Sequence, residues 1–422
     1  MTWKALRLKN LVSLIVEPAA AEDELPYVGL EAIEPWTGKI SLGVKEAEEN
    51  TSVGNRFLPG DVLFGKLRPY LAKVAAPDFY GQCTGEALVL RPKSGVHARF
   101  MRYRLAEAGI IDSVNASTFG AKMPRASWQF IGNLRFPVPE FKTQQTIADF
   151  LDRETALIDR LIAKRLRFVA SLREMRIAVV SRAVTRGINP NVDYKISGVD
   201  WLGEIPSHWQ VVPPTALFTE SKERARDGDQ LLSSTQKYGV IPLAEFEDLE
   251  KRQVTLAVTN LEMRKHVEIG DFVISMRSMD GGLERAHASG CVRSSYSVLK
   301  AEPTVEGRFY AYLMKSSLYI QALRQTANFI REGQDMNFGH FRKVRLPSLD
   351  LEEQRAIADH IDANIIRIDA LVTKTDGSID LLREFRSALI TAAVTGQIDV
   401  TTWGKQGQTD RRLDNIQEEM GA

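Results

Sequence analysis

Two long stretches of this chain carry apolar residues with a seven-residue period. In the first stretch the two seam positions are Leu151, Ile158, Leu172 and Val179, and Ile147, Leu161, Phe168 and Met175. In the second stretch they are Ile361, Ile368, Leu382 and Leu389, and Ile357, Leu371 and Phe385. A seven-residue period over several heptads is typical of a coiled coil. The pattern predicts two helices of roughly 40 residues, each about 60 Å long.

The two stretches are copies of one another, shifted by 210 residues without a gap. Identical pairs include Gln144/Gln354, Asp149/Asp359, Asp152/Asp362, Asp159/Asp369 and Arg176/Arg386. A weaker match extends upstream through Gly60-Asp61 and Gly270-Asp271, Cys83 and Cys291, and Arg99 and Arg308. A solenoid unit has a period of only ~20–50 residues. The repeat therefore predicts two similar halves, each a globular domain of about 140 residues followed by one long helix.

The charges of the two helical stretches predict how they pair. Residues 142–188 carry ten basic and five acidic side chains, and residues 352–398 carry five basic and eight acidic ones. Opposite balances favour pairing of the two copies with each other, although two solvated faces with random charge remain an alternative. If the pair is antiparallel, a tandem repeat acquires a pseudo-two-fold axis.

The predicted fold class is α+β, with two similar globular domains and an antiparallel coiled coil of two long helices. Trp3 matches Trp209 as the opening residue of each domain. The predicted boundaries are 1–139 (first domain), 140–188 (first helix), 189–206 (linker), 207–349 (second domain), 350–400 (second helix) and 401–422 (flexible tail).

Composition excludes several classes of protein. Net charge is +1, with 55 basic against 54 acidic residues, which argues against coating nucleic acid by bulk charge but allows a local basic surface. No apolar run approaches the ~18–20 residues that span a bilayer, and the N-terminal residues lack an apolar signal core. We therefore expect a cytoplasmic protein. Two distant cysteines form neither a disulfide framework nor a four-ligand metal site.

The segment between the halves resembles a known family. Ala183–Pro190 and the stretch from Lys195 through Trp201-Leu-Gly-Glu-Ile-Pro-Ser-His-Trp209 are similar to the central region of specificity subunits of type I restriction-modification systems. The paired Gln-x-x-Ile-Ala-Asp helix starts at Gln144 and Gln354 are similar too. The resemblance covers the chain up to about Val400.

The resemblance implies a function and a set of partners. Each globular domain would be a target recognition domain that reads one half of a split site in double-stranded DNA. The helices would separate the domains and dock two modification (methyltransferase) subunits, which bind S-adenosylmethionine and methylate adenine at N6. Restriction subunits, using ATP and Mg, would add translocation and cleavage. By resemblance, this chain binds no cofactor and performs no chemistry.

A search for catalytic motifs agrees with that expectation. The only Pro-Pro pair, Pro213-Pro214, is followed by Thr215 and does not form the Asn/Asp-Pro-Pro-aromatic motif that holds a flipped adenine. No glycine-rich loop of the kind that binds a dinucleotide or a triphosphate is present. The six histidines show no metal-ligand spacing. No catalytic, cofactor-binding or metal-ligating residue is predicted.

Candidate DNA contacts lie in basic, glycine-containing loops. Lys66 and Arg68 follow the apolar strand Val62–Phe64, and Arg277 occupies the equivalent place in the second half. A second pair of loops carries Lys122 and Arg125 in the first domain, and Arg331 and Gln334 in the second. Such side chains bind phosphates or read base edges. Structural roles, an Arg that caps strand carbonyls or a solvated connector, are the alternatives.

Two other functions remain open from the sequence alone. One is a non-catalytic coiled-coil scaffold whose paired domains bind protein partners. The other is a stand-alone nuclease or methyltransferase, which the missing cofactor motifs disfavour. A basic face shared by both globular domains would favour the DNA-specificity subunit over the scaffold.

Overall fold

The computed structural model describes residues 3–18, 25–42, 54–120, 122–254, 263–276, 278–326, 336–403 and 407–421. The chain divides into two compact units. Unit 1 comprises Met1–Arg167 and Lys374–Ala422, and unit 2 comprises Phe168–Thr373. Each unit therefore contains one globular domain and a part of both long helices.

The described residues of the first domain form nine strands and four α-helices. The strands are β1 Lys4–Arg7, β2 Val12–Ile15, β3 Tyr27–Val28, β4 Asn55–Phe57, β5 Val62–Gly65, β6 Val74–Ala75, β7 Gly81–Cys83, β8 Ala87–Pro92 and β9 Arg135–Val138. The helices are α1 Leu8–Leu11, α2 Ala98–Leu105, α3 Ala108–Ala116 and α4 Trp128–Ile131. An antiparallel sheet has the order β2-β8-β5-β6, and a second sheet has the order β3-β7-β4.

Strand β5 explains how the first domain forms its core. Val62, Leu63 and Phe64 are all fully buried, because both faces of the strand are covered. Val62 and Phe64 pack into one cluster with residues of α2 and α3, whereas Leu63 packs into another with residues of β3 and β4. Alternate side chains of a strand point to opposite faces of the sheet, so an uninterrupted apolar run fills both clusters.

In the sequence, the first domain is followed by the first long helix and a short hairpin. The helix is α5, Phe141–Arg186, and the hairpin consists of β10 Tyr194–Ile196 and β11 Glu204–Pro206. Leu202 and Ile205 of this predicted linker are buried in the core of unit 2.

The second domain repeats the frame of the first. Its strands are β12 Gln210–Val212, β13 Phe218–Ser221, β14 Leu232–Thr235, β15 Gly239–Pro242, β16 Lys265–Val267, β17 Phe272–Ile274, β18 Glu284–Arg285, β19 Gly290–Val292, β20 Ser297–Ala301 and β21 Leu346–Ser348. Its helices are α6 Leu243–Glu250, α7 Ser278–Gly281, α8 Gly307–Met314, α9 Ser317–Gln325 and α10 Phe338–Phe341. The sheet order β13-β20-β17-β18 matches β2-β8-β5-β6, which confirms two similar globular domains.

The two long helices pair with each other. The second is α11, Leu351–Val394. In unit 1, Ile158 of α5 shares a cluster with Leu382 and Leu389 of α11. In unit 2, Val184 of α5 shares a cluster with Ile357 of α11. The beginning of α5 thus packs on the end of α11, and the end of α5 packs on the beginning of α11. The predicted antiparallel coiled coil is confirmed, but three of the predicted seam residues are exposed: Phe168 by 45%, Met175 by 55% and Leu371 by 42%.

A glutamine ties each domain to the start of its helix. Gln144 is 1% exposed; its Oε1 accepts from His97 N at 2.8 Å, and its Nε2 donates to Gly95 O at 3.0 Å and Pro139 O at 2.9 Å. Gln354, 210 residues later, makes the same three bonds, with Glu306 N, Thr304 O and Leu349 O. These networks explain why the repeat keeps a polar residue at a buried helix position.

An arginine adds a second tie at each junction. Arg99 donates to Asp149 at 2.7 Å and also to Asp152. Arg308 donates to Asp359 at 2.7 Å and to Asp362 at 2.8 Å. Charge-assisted bonds of this kind are stronger than neutral ones. The aspartates identified as paired positions of the repeat therefore fasten each domain to its own helix.

The C-terminal segment differs from the flexible tail expected for residues 401–422. It forms α12 Val400–Trp403 and α13 Gln408–Gly421. Ile416 is 1% exposed within the core of unit 1, and Trp403 Nε1 donates to Thr409 Oγ1 at 2.8 Å. The apolar residues of this segment do not recur with a regular period, and in the described part of α13 the apolar contacts to that core come from Leu413 and Ile416. Among the described residues, no helix is long and apolar enough to cross a membrane.

We expect Gln144→Ala to destabilise unit 1, because it leaves a buried backbone N–H and two carbonyls without their partner. The cost for unsatisfied buried groups is about 1–3 kcal/mol. Gln145→Ala is the matched control, since Gln145 is the exposed neighbour on the same helix turn. Thermal or urea unfolding of the two variants measures the difference. Equal stability of both variants would contradict the role assigned to Gln144.

Candidate nucleic-acid interface

Two loops that the sequence predicted separately lie side by side in the first domain. The loop after β5 carries Lys66 and Arg68, and the segment before α4 carries Lys122 and Arg125. Arg68 N donates to Pro124 O at 2.9 Å, and Ala126 N donates to Lys66 O at 2.9 Å. The backbone of the two loops thus forms one surface, which we call the laced loops (residues 65–71, 117–120 and 122–126).

Backbone geometry holds the laced loops in shape. Arg68 and Ala72 both adopt left-handed conformations, with φ of 50° and 46°, on either side of the short 3-10 turn Pro69–Leu71. Non-glycine residues with positive φ are uncommon and persist where their surroundings hold them. Pro69 is buried and fixes the turn, while Arg68 is exposed.

The four predicted cations of the first domain have different surroundings. Arg125 donates from Nε and Nη2 to both oxygens of Glu86 at 3.1 Å, and these bonds raise the pKa of Arg125. Lys122 is exposed and Lys66 is half-buried. Within the described part of the chain, neither Arg68 nor Lys122 takes part in an ion pair. Arg68 and Lys122 are therefore available to a ligand, whereas Arg125 is engaged by Glu86.

Exposed apolar side chains accompany these cations. Phe119 is 64% exposed, Met123 51% and Tyr70 45%. Aromatic faces stack on bases, and apolar groups contact the thymine methyl group, so apolar side chains beside cations are typical of nucleic-acid interfaces. Sequence reasoning did not select Phe119 and Met123 as contacts, although both lie within the basic segment that it identified.

In the second domain, the predicted contact residues Arg277, Arg331 and Gln334 lie outside the described residues. The loop after β17 is described on both sides of Arg277. Ser275 N donates to Ser278 Oγ at 3.0 Å, where α7 begins. Strand β17 holds the same place in its sheet as β5, so this loop is the equivalent of the one that carries Arg68.

A groove of about 690 Å³ borders that loop. It is lined by Ser275 and Met276, and by cations and aromatic rings from several elements, which include Lys237, Tyr238, Arg252, Arg293 and Tyr296. Glu284 lines it too; burial raises the pKa of this carboxyl, whose Oε2 accepts from Lys315 Nζ at 2.6 Å. The combination of arginine and tyrosine side chains suits nucleic acid. Sequence reasoning missed this groove because its residues are scattered from 231 to 296.

The buried thiol of Cys83 and the carboxylates of Asp61 and Asp271, which could act in catalysis elsewhere, have structural roles in this fold. Cys83 is fully buried, and burial raises the pKa of its thiol to about 12. Asp61 accepts from Leu58 N at 2.9 Å and from Arg91, and Asp271 accepts from Glu268 N at 2.9 Å. Both aspartates thus close the turns that precede β5 and β17. Across the described ranges, no group of three or more His, Cys, Asp or Glu is placed to hold a metal ion.

No family model matches the chain. Among curated proteins, it is 23% identical over 194 residues to the type I restriction enzyme EcoDI specificity subunit of Escherichia coli, which covers 46% of this chain and 39% of the relative. It is 23% identical over 211 residues to the EcoKI specificity subunit of Escherichia coli K12, which covers 46% of this chain and 44% of the relative. The chain thus matches less than half the length of these relatives.

Solved structures match over nearly the whole chain. A chain from a structural study of complex assembly and conformational transition in the type I R-M system has a TM-score of 0.70 at 18% identity, covering 94% of this chain and 98% of that one. The HsdS subunit of Thermoanaerobacter tengcongensis has a TM-score of 0.52 at 19% identity, covering 94% and 97%. The chain therefore has the fold of type I restriction-modification specificity subunits, and the resemblance predicted from its own motifs is confirmed.

Proposed function

We propose that this chain is the DNA sequence-specificity subunit of a type I restriction-modification complex, acting on DNA in the cytoplasm. Each globular domain reads one part of a bipartite site, and the paired helices set the spacer between the parts. The observation that carries the proposal is the repeated frame. Two domains of the same sheet order are fastened by the same glutamine and arginine ties to two antiparallel helices. The protein-scaffold alternative is not favoured, because the curated relatives are specificity subunits.

In the first domain, Arg68 and Lys122 contact DNA, with Phe119 and Met123 providing apolar contact. Lys66 and Arg125 support the same loops. In the second domain, the groove bordered by Met276 and the loop with Arg277 form the equivalent surface, and Arg331 and Gln334 are further candidates. Base edges are read by such side chains, whereas phosphate contacts set the register.

This chain recognises the DNA sequence, and its partner subunits carry out methylation and cleavage. A net charge of +1 leaves much of the phosphate neutralisation to other subunits. Two modification subunits that bind S-adenosylmethionine dock on the long helices, and restriction subunits with ATP and Mg join that complex. Exposed apolar residues on α5 support docking there, since Phe168 is 45% exposed, Met175 55% and Ile177 61%.

Methylation tests the proposed function. We expect the purified chain with S-adenosylmethionine to transfer no methyl group to DNA, because it lacks a methyltransferase motif. Co-expressed with its modification subunit, it is expected to give one bipartite motif of methylated adenines, mapped by long-read sequencing of the host genome. The modification subunit alone is the control. Methyl transfer by the chain alone, or the same methylated motif without it, would contradict the proposal.

The two readers are expected to respond separately to substitution. Arg68→Ala should weaken or relax only the first half-site, and Arg277→Ala only the second, by about 1–3 kcal/mol for a base contact. Arg135→Ala is the control, since Arg135 is an exposed arginine of the first domain outside the laced loops. Competition binding of the assembled complex to site variants measures both effects. Uniform weakening across all sequences would make Arg68 a phosphate contact, and a change in thermal stability alone would make it structural.

A further inference from the structure

The repeat places two equivalent ion pairs between the long helices, yet their surroundings differ. Asp159 and Arg176 of α5 correspond to Asp369 and Arg386 of α11. In unit 1, Arg386 Nε donates to Asp159 Oδ1 at 2.8 Å, and the two side chains are 8% and 11% exposed. In unit 2, Arg176 Nε lies 3.6 Å from Asp369 Oδ1, and the two side chains are 48% and 58% exposed.

A turn of the first domain accounts for the difference. Residues 33–40, which we call the docking turn, lie over the ion pair of unit 1. Arg386 Nη1 donates to Trp36 O at 3.2 Å, and Lys39 Nζ lies 3.4 Å from Asp159 Oδ2. Four groups, two from the turn and two from the helices, thus form one charged network. Arg176 of unit 2 has its ion pair with Asp369 and, within the described residues, no hydrogen bond from the second domain.

The docking turn is built rigidly into the first domain. Glu34 N donates to Lys39 O at 2.9 Å, Gly38 N donates to Glu34 O at 3.0 Å, and Trp36 N donates to Ala72 O at 3.2 Å. Trp36 has a φ of 63°, which is strained for a residue with a bulky side chain. A Cβ atom at Gly38 would lie 2.0 Å from Val74 O, so only glycine fits between the turn and β6. The turn therefore moves together with its domain.

Polar contacts carry the attachment of the docking turn to the helices. A cavity of about 680 Å³ lies beside the turn, lined by Trp36 and by Ile162, Leu166 and Ile390 of the helices. Trp36 is 40% exposed and Leu166 is 47% exposed, so their apolar side chains are not packed into a closed core. In the corresponding chain of the second domain, between β14 and β16, the described residues 236–254 form β15 and α6 instead.

We infer that Arg386 and the docking turn fix the orientation of the first domain on the helices and thereby restrict the spacer that the complex accepts. This inference rests on the proposed function. Arg386 is a positioning residue, since it acts through Trp36 and Asp159 and leaves base reading to the laced loops. Arg176, its counterpart in the repeat, forms an exposed ion pair with Asp369 and, among the described residues, makes no hydrogen bond to a turn of its domain.

The test compares Arg386→Ala with Arg176→Ala in the complete complex with the modification subunit. For Arg386→Ala, methylation at sites with a spacer one base pair shorter or longer is expected to rise on the order of tenfold relative to the native spacer. Both half-site sequences remain unchanged. Arg176→Ala is expected to keep the wild-type spacer. Long-read methylation mapping reports half-site sequence and spacer length independently, and a purely structural defect would lower methylation at all spacers alike.

Lys39→Glu covers the case in which Arg386→Ala does not fold. Lys39 is 60% exposed and the substitution leaves the Asp159–Arg386 pair in place, while it sets a negative charge against Asp159. We expect the same broadening of spacer length. Hydrogen exchange of the purified chain provides a readout without methylation: residues 33–40 should exchange faster in both variants, and at the wild-type rate in Arg176→Ala.

Three results would overturn the inference. One is a single native spacer in folded Arg386→Ala and Lys39→Glu complexes, and another is equal broadening in Arg176→Ala. The third is faster exchange of residues 33–40 without any change in spacer. In each of these cases the wild-type complex still methylates a bipartite site, so the proposed function survives. Absence of a bipartite methylated site in the wild type would instead contradict both the proposed function and the inference on spacer length.

Discussion

Burial of apolar side chains of α5 and α11 against each other, as at Ile158 with Leu382 and Leu389, is the constraint on which the rest of the structure depends. A single helix of 46 or 44 residues with such a seam would expose it to water along its length. The opposite net charges of α5 and α11 favour pairing of these two helices with each other. The Asp159–Arg386 and Arg176–Asp369 ion pairs connect them directly. Because the pairing is antiparallel and the halves are copies, the start of each helix meets the end of the other, although the two ion pairs differ in exposure.

The same logic explains how each helix ends. Gly187 directly follows α5 and has a left-handed φ of 72°. Gly396 lies two residues after the end of α11 and has a left-handed φ of 74°. The ring of Trp209 lies against Gly187, and the ring of Trp3 lies against Gly396. A glycine supplies the conformation that stops a helix without steric cost. In each unit, the end of one helix therefore meets the tryptophan that opens a domain, which explains why Trp3 and Trp209 matched in the sequence.

The sequence predicts the arrangement of domains and helices, but it predicts the DNA-recognition surface only in part. The helices, the repeat and the antiparallel pairing follow from a periodic pattern and from identical polar residues such as Gln144 and Gln354. The lacing of Arg68 to Pro124 depends on a backbone hydrogen bond between distant residues, which leaves no local signal. The same holds for the pair of Arg125 with Glu86 and for Arg386 with Trp36. Helix α13 was missed because its apolar residues, such as Leu413 and Ile416, do not recur with a regular period, although they pack on an existing core.

Exchange of the first domain tests the central claim most directly. In the chimera, residues 1–139 are replaced by the corresponding domain of a type I specificity subunit with a different site, while Gln144 and the rest of α5 are kept. Each domain has its own sheet and core, and meets its helix through the repeated glutamine tie. Methylation mapping of the chimeric complex is expected to show a new first half-site beside an unchanged second half-site. A change in both half-sites would contradict two separable readers on a common pair of helices.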